Sequence, residues 1–182
     1  MASSDRTTHP ITGSHDLALK NGSVVLPDGT VQTTVYVRDG MVSAIGGEAP
    51  AARVVDCTGL TILPGVIDTQ VHFREPGAEE NEDLETGSRS AVLGGVTGVF
   101  EMPNTKPTTS TPQAVADKLA RARNRMWCEH AFYAGANNDN EDECSALEKL
   151  PGTAGIKRLM GSSTCNMQAL ADTILTRVPH PG

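Results

Sequence analysis

The sequence predicts an α/β chain in which a small all-β module precedes a parallel sheet built from strand–helix units. Three observations lead there. From residue 16 to about residue 47, short β-prone runs alternate with the turn signals Asn21-Gly22, Pro27-Asp28-Gly29 and Asp39-Gly40. After residue 61 strands alternate with helical stretches instead. Where the two patterns meet, over residues 64–77, an apolar run breaks abruptly into closely spaced polar groups.

Each element has a local reason. In the first module the runs 17–20, 23–26, 33–37 and 41–45 read as strands. Asn-Gly and Asp-Gly accept the positive φ that tight hairpin turns require. The module is taken as residues 16–60, after a polar tail, residues 1–15, that reads as disordered. That tail has no apolar core segment of the kind a signal peptide or a membrane span needs. Beyond it, Ile62, Leu63, Val66 and Ile67 supply the apolar body of a buried strand. A helix over 83–93 stops at Gly94-Gly95 and is followed by a strand over 96–100. Thr111 as N-cap and Pro112 in the first turn open a helix that runs to about Met126. A strand over 128–134, a helix over 141–150, a strand over 155–160 and a last helix over 167–176 complete residues 61–182.

Composition removes some functions. A formal net charge of -7 leaves no electrostatic footprint for nucleic acid, and Arg121, Arg123 and Arg125 read as a solvated helical face. The four cysteines, Cys57, Cys128, Cys144 and Cys165, are scattered without a Cys-x-x-Cys pair. Free thiols in a reducing cytosol fit that pattern, and no zinc ribbon is suggested.

The chemistry gathers after Asp68. Residues two apart on a strand share a face, so Gln70, His72 and Arg74 project together. One imidazole, one amide and one guanidinium suit a metal and an anionic substrate. His72 can supply neutral imidazole to a divalent ion, whereas the amide of Gln70 is a weak, hard donor better suited to calcium. Arg74 can grip a carboxylate with two parallel hydrogen bonds, and Asn104 can donate to the same anion. Asp68 reads as a backbone-capping group or a support for the ligands. The bland alternatives are an edge strand with a polar face leading into a Glu-Pro-Gly turn, a structural histidine, an ion pair of Arg74 with Glu75 or Glu101, and Asn104 as a turn residue beside Pro103.

The same residues carry a family resemblance. Asp68-Thr69-Gln70-Val71-His72-Phe73-Arg74-Glu75-Pro76-Gly77 resembles the first-strand signature of the dihydroorotases, Asp-x-His-x-His-x-Arg. Glu101-Met102-Pro103-Asn104-Thr105 resembles the second-strand segment. Gly155-Ile156-Lys157-Arg158-Leu159-Met160-Gly161-Ser162-Ser163-Thr164 resembles the fourth-strand segment. One position departs: the first histidine of the pair is Gln70.

The resemblance implies the amino-terminal half of a metal-dependent (β/α)8 barrel, with about four β/α units, preceded by a small β-sandwich module. It implies zinc, one or two ions, held by His72 and Lys157 with Gln70 weakening one position. Lys157, otherwise an exposed cation, would carry a carboxylate on its ε-nitrogen and bridge the metals. Arg74 and Asn104 would bind the substrate. The implied activity is interconversion of dihydroorotate and carbamoyl aspartate in pyrimidine biosynthesis. Allantoinases and hydantoinases share the architecture and differ after the metal histidine. From another class, Gln70 suits a catalytically silent scaffold for aspartate transcarbamoylase, and a homodimer of half barrels is a further partner.

A complete (β/α)8 barrel takes roughly 250 residues, more than the 182 present. In the family, two histidines of the fifth and sixth strands and an aspartate of the eighth complete the site. Here His180 is the only histidine after the fourth strand, and Pro179 and Pro181 beside it argue against a strand. The expectation is therefore a truncated chain of little activity, with no catalytic residue of its own.

Overall fold

The computed structural model describes residues 14–158. The helix expected over 167–176, Cys165, His180 and the tail up to residue 13 lie outside the described residues. The chain forms two compact units that divide at Pro64 and Gly65.

The first unit holds β1 (His15–Leu26), β2 (Gly29–Arg38), β3 (Met41–Ile45), β4 (Ala51–Asp56) and β5 (Thr61–Ile62). They make a single five-stranded sheet among the described residues, ordered β3-β2-β1-β4, with β5 also paired to β1. The β1–β2 and β2–β3 pairs are antiparallel, whereas β4 and β5 run parallel to β1. Asp39 and Gly40, at φ 52° and 74°, turn β2 into β3 as the Asp-Gly signal requires.

Asn21-Gly22 behaves differently from the expected hairpin. It lies inside β1, where the register against β2 shifts between Leu19 and Gly22 and Asn21 has φ 63°. The positive φ that would make a turn makes a β-bulge here. A Cβ on Gly22 would come within 2.6 Å of the Ile62 side chain, so β5 can lie against β1 only because that position is glycine. His15, assigned to a disordered tail from sequence, instead starts β1. It is buried, bonds Ser43 Oγ through Nδ1 at 2.8 Å and packs on Tyr36.

The second unit holds β6 (Val66–Val71), α1 (Leu84–Leu93), β7 (Val96–Glu101), α2 (Pro112–Ala122), β8 (Glu129–Gly135), a 3-10 turn (Glu141–Glu143) leading into α3 (Cys144–Glu148), and β9 (Thr153–Lys157). The four strands are parallel and in chain order, β6-β7-β8-β9. Asp83 caps α1 in a reciprocal box with Thr86, and Thr111 caps α2 with Pro112 in its first turn. The α2 helix ends at Ala122, four residues short of the expected Met126, and Asn124 then takes a left-handed φ of 60°.

The helices cover one face of this sheet. Phe73, Leu84, Val99, Ala122 and Phe132 form one core cluster, and Val115, Ala134 and Leu147 another. β6 departs from the buried strand read in the sequence. Among the described residues it is an edge strand, and Val66 and Ile67 are 51% and 59% exposed. Apolar composition alone does not separate an edge from a centre, because burial depends on neighbours that the local sequence does not contain. Trp127, the one tryptophan of the chain, is half exposed between α2 and β8, and its amide donates to Ser88 Oγ at 3.2 Å.

No helix among the described residues is long and apolar enough to cross a membrane. Cys57, Cys128 and Cys144 are free thiols.

Candidate functional site

In a parallel sheet the carboxyl ends of the strands, with the loops that leave them, form the natural crevice for a ligand. Here the loops after β6 and β7 are stitched together. Met102 N donates to Val71 O at 3.0 Å and Lys106 N to Pro76 O at 2.9 Å. Between them lies a cavity of about 490 Å³ bordered by Arg74, Gly77, Asn81, Asn104, Thr105 and Lys106. A Cβ on Gly77 would strike Lys106, so this close approach of the loops requires glycine, which also sits at φ 102°.

The faces of the strands follow from what they pack on. Val71 and Phe73 join the helix-side cluster, so Gln70 and His72 point to the opposite face. Ile156 packs on the helix side too, which sends Lys157, the last residue of β9, to the same face as Gln70. Phe100 and Tyr133 lie between them on that face in edge-to-face contact, with centroids 6.0 Å apart.

His72 is half-buried, and its Nδ1 lies 2.9 Å from Asn104 Oδ1. An amide oxygen accepts, so Nδ1 is the donor, and in the neutral ring Nε2 keeps its lone pair. That is the arrangement a ligating histidine needs. Gln70 is exposed, and its backbone N–H donates to Asp68 Oδ1 at 3.0 Å, which makes Asp68 a backbone cap. Among the described residues no three His, Cys, Asp or Glu side chains gather as a metal cluster. The imidazole suits a metal, the half-buried Lys157 would do so only with a carboxylate on its ε-nitrogen, and the amide of Gln70 suits it poorly.

Arg74 does not continue the face of Gln70 and His72. Its φ of 62° is left-handed, and its carbonyl accepts from Ala78 N at 3.0 Å, so the strand alternation ends one residue earlier. The exposed Arg74 reaches the cavity from a turn. The ion pairs considered for it go elsewhere. Glu75 is buried and bonded to Arg125, with Arg121 3.6 Å away, and Glu101 is bonded to Lys118. Arg121 and Arg125 are thus partners of a buried acid, in place of the solvated face expected from their spacing.

The sequence marks Glu101 only as an alternative partner of Arg74 and gives no sign of Lys118, since a lysine within an amphipathic helix ordinarily faces water. Glu101 and Lys118 are both buried. Burial raises the Glu101 carboxyl to about 7 against the pull of Lys118, and burial likewise pushes the Lys118 ammonium below its ordinary value.

Residues 59–160 match the model of the dihydro-orotase-like domain, more than half of the chain. The chain belongs to the dihydro-orotase-like family of amidohydrolases. Within the family it is 38% identical over 150 residues to an allantoinase of Solibacter usitatus, covering 81% of this chain and 33% of that protein. It is 34% identical over 140 residues to a dihydroorotase of Lactobacillus helveticus, covering 77% of this chain and 32% of that one. The solved L-hydantoinase (dihydropyrimidinase) of Arthrobacter aurescens superposes with a TM-score of 0.79 at 33% identity, over 88% of this chain and 37% of that chain. The mixed α/β fold is therefore similar to the amino-terminal portion of a hydantoinase. The chain spans about a third of the length of these relatives.

Proposed function

We propose that this chain is the amino-terminal part of a metal-dependent cyclic amidohydrolase. Its parallel sheet corresponds to the first half of a (β/α)8 barrel, and its first sheet to part of a β-sandwich. His72 and Lys157 would hold zinc, with Gln70 at a weakened position, and Arg74 and Asn104 would bind an anionic group of the substrate. The observation that carries this reading is the His72–Asn104 hydrogen bond, which joins the imidazole to the rim of the Arg74 cavity. A bound metal ion of this kind lowers the pKa of water and polarises a carbonyl. The residues present do the remainder: Asn104 holds the tautomer of His72, and Arg74 orients a carboxylate near it.

Dihydroorotate and carbamoyl aspartate, within cytosolic pyrimidine synthesis, are the proposed substrate pair, because Arg74 offers a fork for a carboxylate. The relatives named allantoinase and hydantoinase support a second reading in which the ring amide is that of allantoin or a hydantoin. Gln70 supports a third, a silent scaffold that binds aspartate transcarbamoylase or a second copy of the chain.

Zinc loading of the 182-residue chain, followed by calorimetric titration with carbamoyl aspartate, dihydroorotate, allantoin and hydantoin, tests these readings. Zinc uptake lost in His72→Ala, with carbamoyl aspartate binding lost in Arg74→Ala, supports the first. Binding of allantoin or hydantoin alone moves the assignment to the second. Sedimentation with a transcarbamoylase, without zinc uptake, moves it to the third.

A further inference from the structure

Lys118 and Glu101 form an ion pair that the proposed function does not use. Each side chain is only 1% exposed, behind the sheet on the helix side. A buried pair contributes little net stability compared with apolar residues of similar volume. Its place in the fold is more informative than its energy. Glu101 is the last residue of β7, and Lys118 projects from α2. The Lys118 ammonium donates to the Glu101 carboxylate and, at 3.0 Å, to the carbonyl oxygen of Met102. It also stands 5.5 Å from the centroid of Phe132, which fixes it from the third strand.

One ammonium thus fastens two consecutive residues where the chain leaves β7. The same two residues set the candidate site. Met102 N donates to the carbonyl of Val71, the residue before His72. Asn104, two residues further on, accepts from His72 Nδ1. A continuous series of contacts therefore runs from Lys118 through Glu101 and Met102 to the loop that carries Asn104.

We propose that Lys118 is a positioning residue for His72. By gripping Glu101 and Met102 it holds Asn104 against the ring, keeps the ring proton on Nδ1 and leaves Nε2 turned to the open face of the sheet. Which ring nitrogen carries the proton is set by the hydrogen bond that the other makes. The proposal rests on the reading of His72 as a metal ligand, yet its first readout needs no metal.

That readout is the imidazole nitrogen spectrum of the isotopically labelled chain in mildly alkaline buffer, with the His72 signals assigned by their loss in His72→Gln. The parent chain is expected to show a single Nδ1–H tautomer. The double variant Lys118→Met with Glu101→Leu removes both charges while keeping the volume, and is expected to fold with native circular dichroism. Its His72 is expected to show averaged shifts of two exchanging tautomers, as is Asn104→Ala with Lys118 intact. Zinc affinity is expected to fall roughly 10–100-fold in both. A folded double variant whose His72 keeps the single Nδ1–H form overturns the proposal. Should that variant fail to fold, Lys118→Met with Glu101→Gln, which also removes the ammonium, carries the same test: mixed tautomers support positioning, and an unchanged spectrum overturns it. If the tautomer responds as expected but the parent chain takes up no zinc, the metal reading fails and the positioning role stands.

Discussion

Arg125 holds Glu75 through both terminal nitrogens of its guanidinium, at 2.8 and 3.0 Å, and the Leu84 amide donates to the same carboxylate at 3.0 Å. This ties the loop carrying Arg74 to the first turn of α1 and to the residues just past α2. Burial opposes ionisation of Glu75, but Arg125, the Leu84 amide and Arg121 outweigh it and hold the carboxyl below its ordinary value. A carboxyl lowered by folding contributes stability above its unfolded pKa of about 4.3, and that stability is lost as pH falls through the folded value. The urea midpoint of the chain is therefore expected to drop on acidification below about pH 4.3, and to drop less steeply in Glu75→Gln. Arg125→Ala at neutral pH is expected to cost about 1–3 kcal/mol by the same measurement.

Lys118→Met alone strands the Glu101 carboxylate in the core and is expected to cost about 3–5 kcal/mol. Adding Glu101→Leu is expected to recover most of that loss. Denaturant unfolding of both single variants and the double variant closes the cycle, and additive losses would show the pair to be uncoupled.

Gly87 lies in α1 where an added Cβ would run into the ring of Phe73, which anchors the exit of β6. Alanine is the better helix former by about 1 kcal/mol. The rigid ring has core neighbours on its other sides, so overpacking is expected to prevail. Gly87→Ala should lower stability by about 1–3 kcal/mol, read by thermal unfolding.

Arg74 separates fold from function most cleanly. Its left-handed φ of 62° suits glycine better than any side chain, and the side chain is exposed. Arg74→Gly is expected to leave stability within about 1 kcal/mol of the parent, while calorimetry shows carbamoyl aspartate binding abolished. Retained binding would remove Arg74 from the site.

Gln70→His is expected to raise zinc affinity, since imidazole is a far better donor than an amide. Competition against a chromophoric chelator measures it, with His72→Ala as the variant that loses uptake.

Much of the second unit was legible because its signals are local. Asp83 and Thr111 cap helices as their side-chain chemistry dictates, and the strand–helix alternation gives four parallel strands in order. His72, Asn104 and Lys157 also lie near the carboxyl ends of those strands. What stayed hidden depends on distant neighbours. Asn21-Gly22 is a bulge inside β1 with Ile62 of β5 lying close against Gly22, and nothing within residues 19–24 tells a bulge from a turn. The exposure of Val66 and Ile67 follows from the place of β6 at the sheet edge. Glu75–Arg125 joins residues fifty apart, so only the fold could pair them. Arg74 was placed on the strand face by simple alternation, which its backbone breaks.

Trp127 precedes β8 and so sits at the amino end of the parallel sheet. With seven residues in β8, roughly 20 Å of strand separates it from the loops that border the cavity. The chain therefore carries its own fluorescent gauge: the indole emission should report melting of the second unit alone and stay silent when a small acid or a metal ion docks at the far rim.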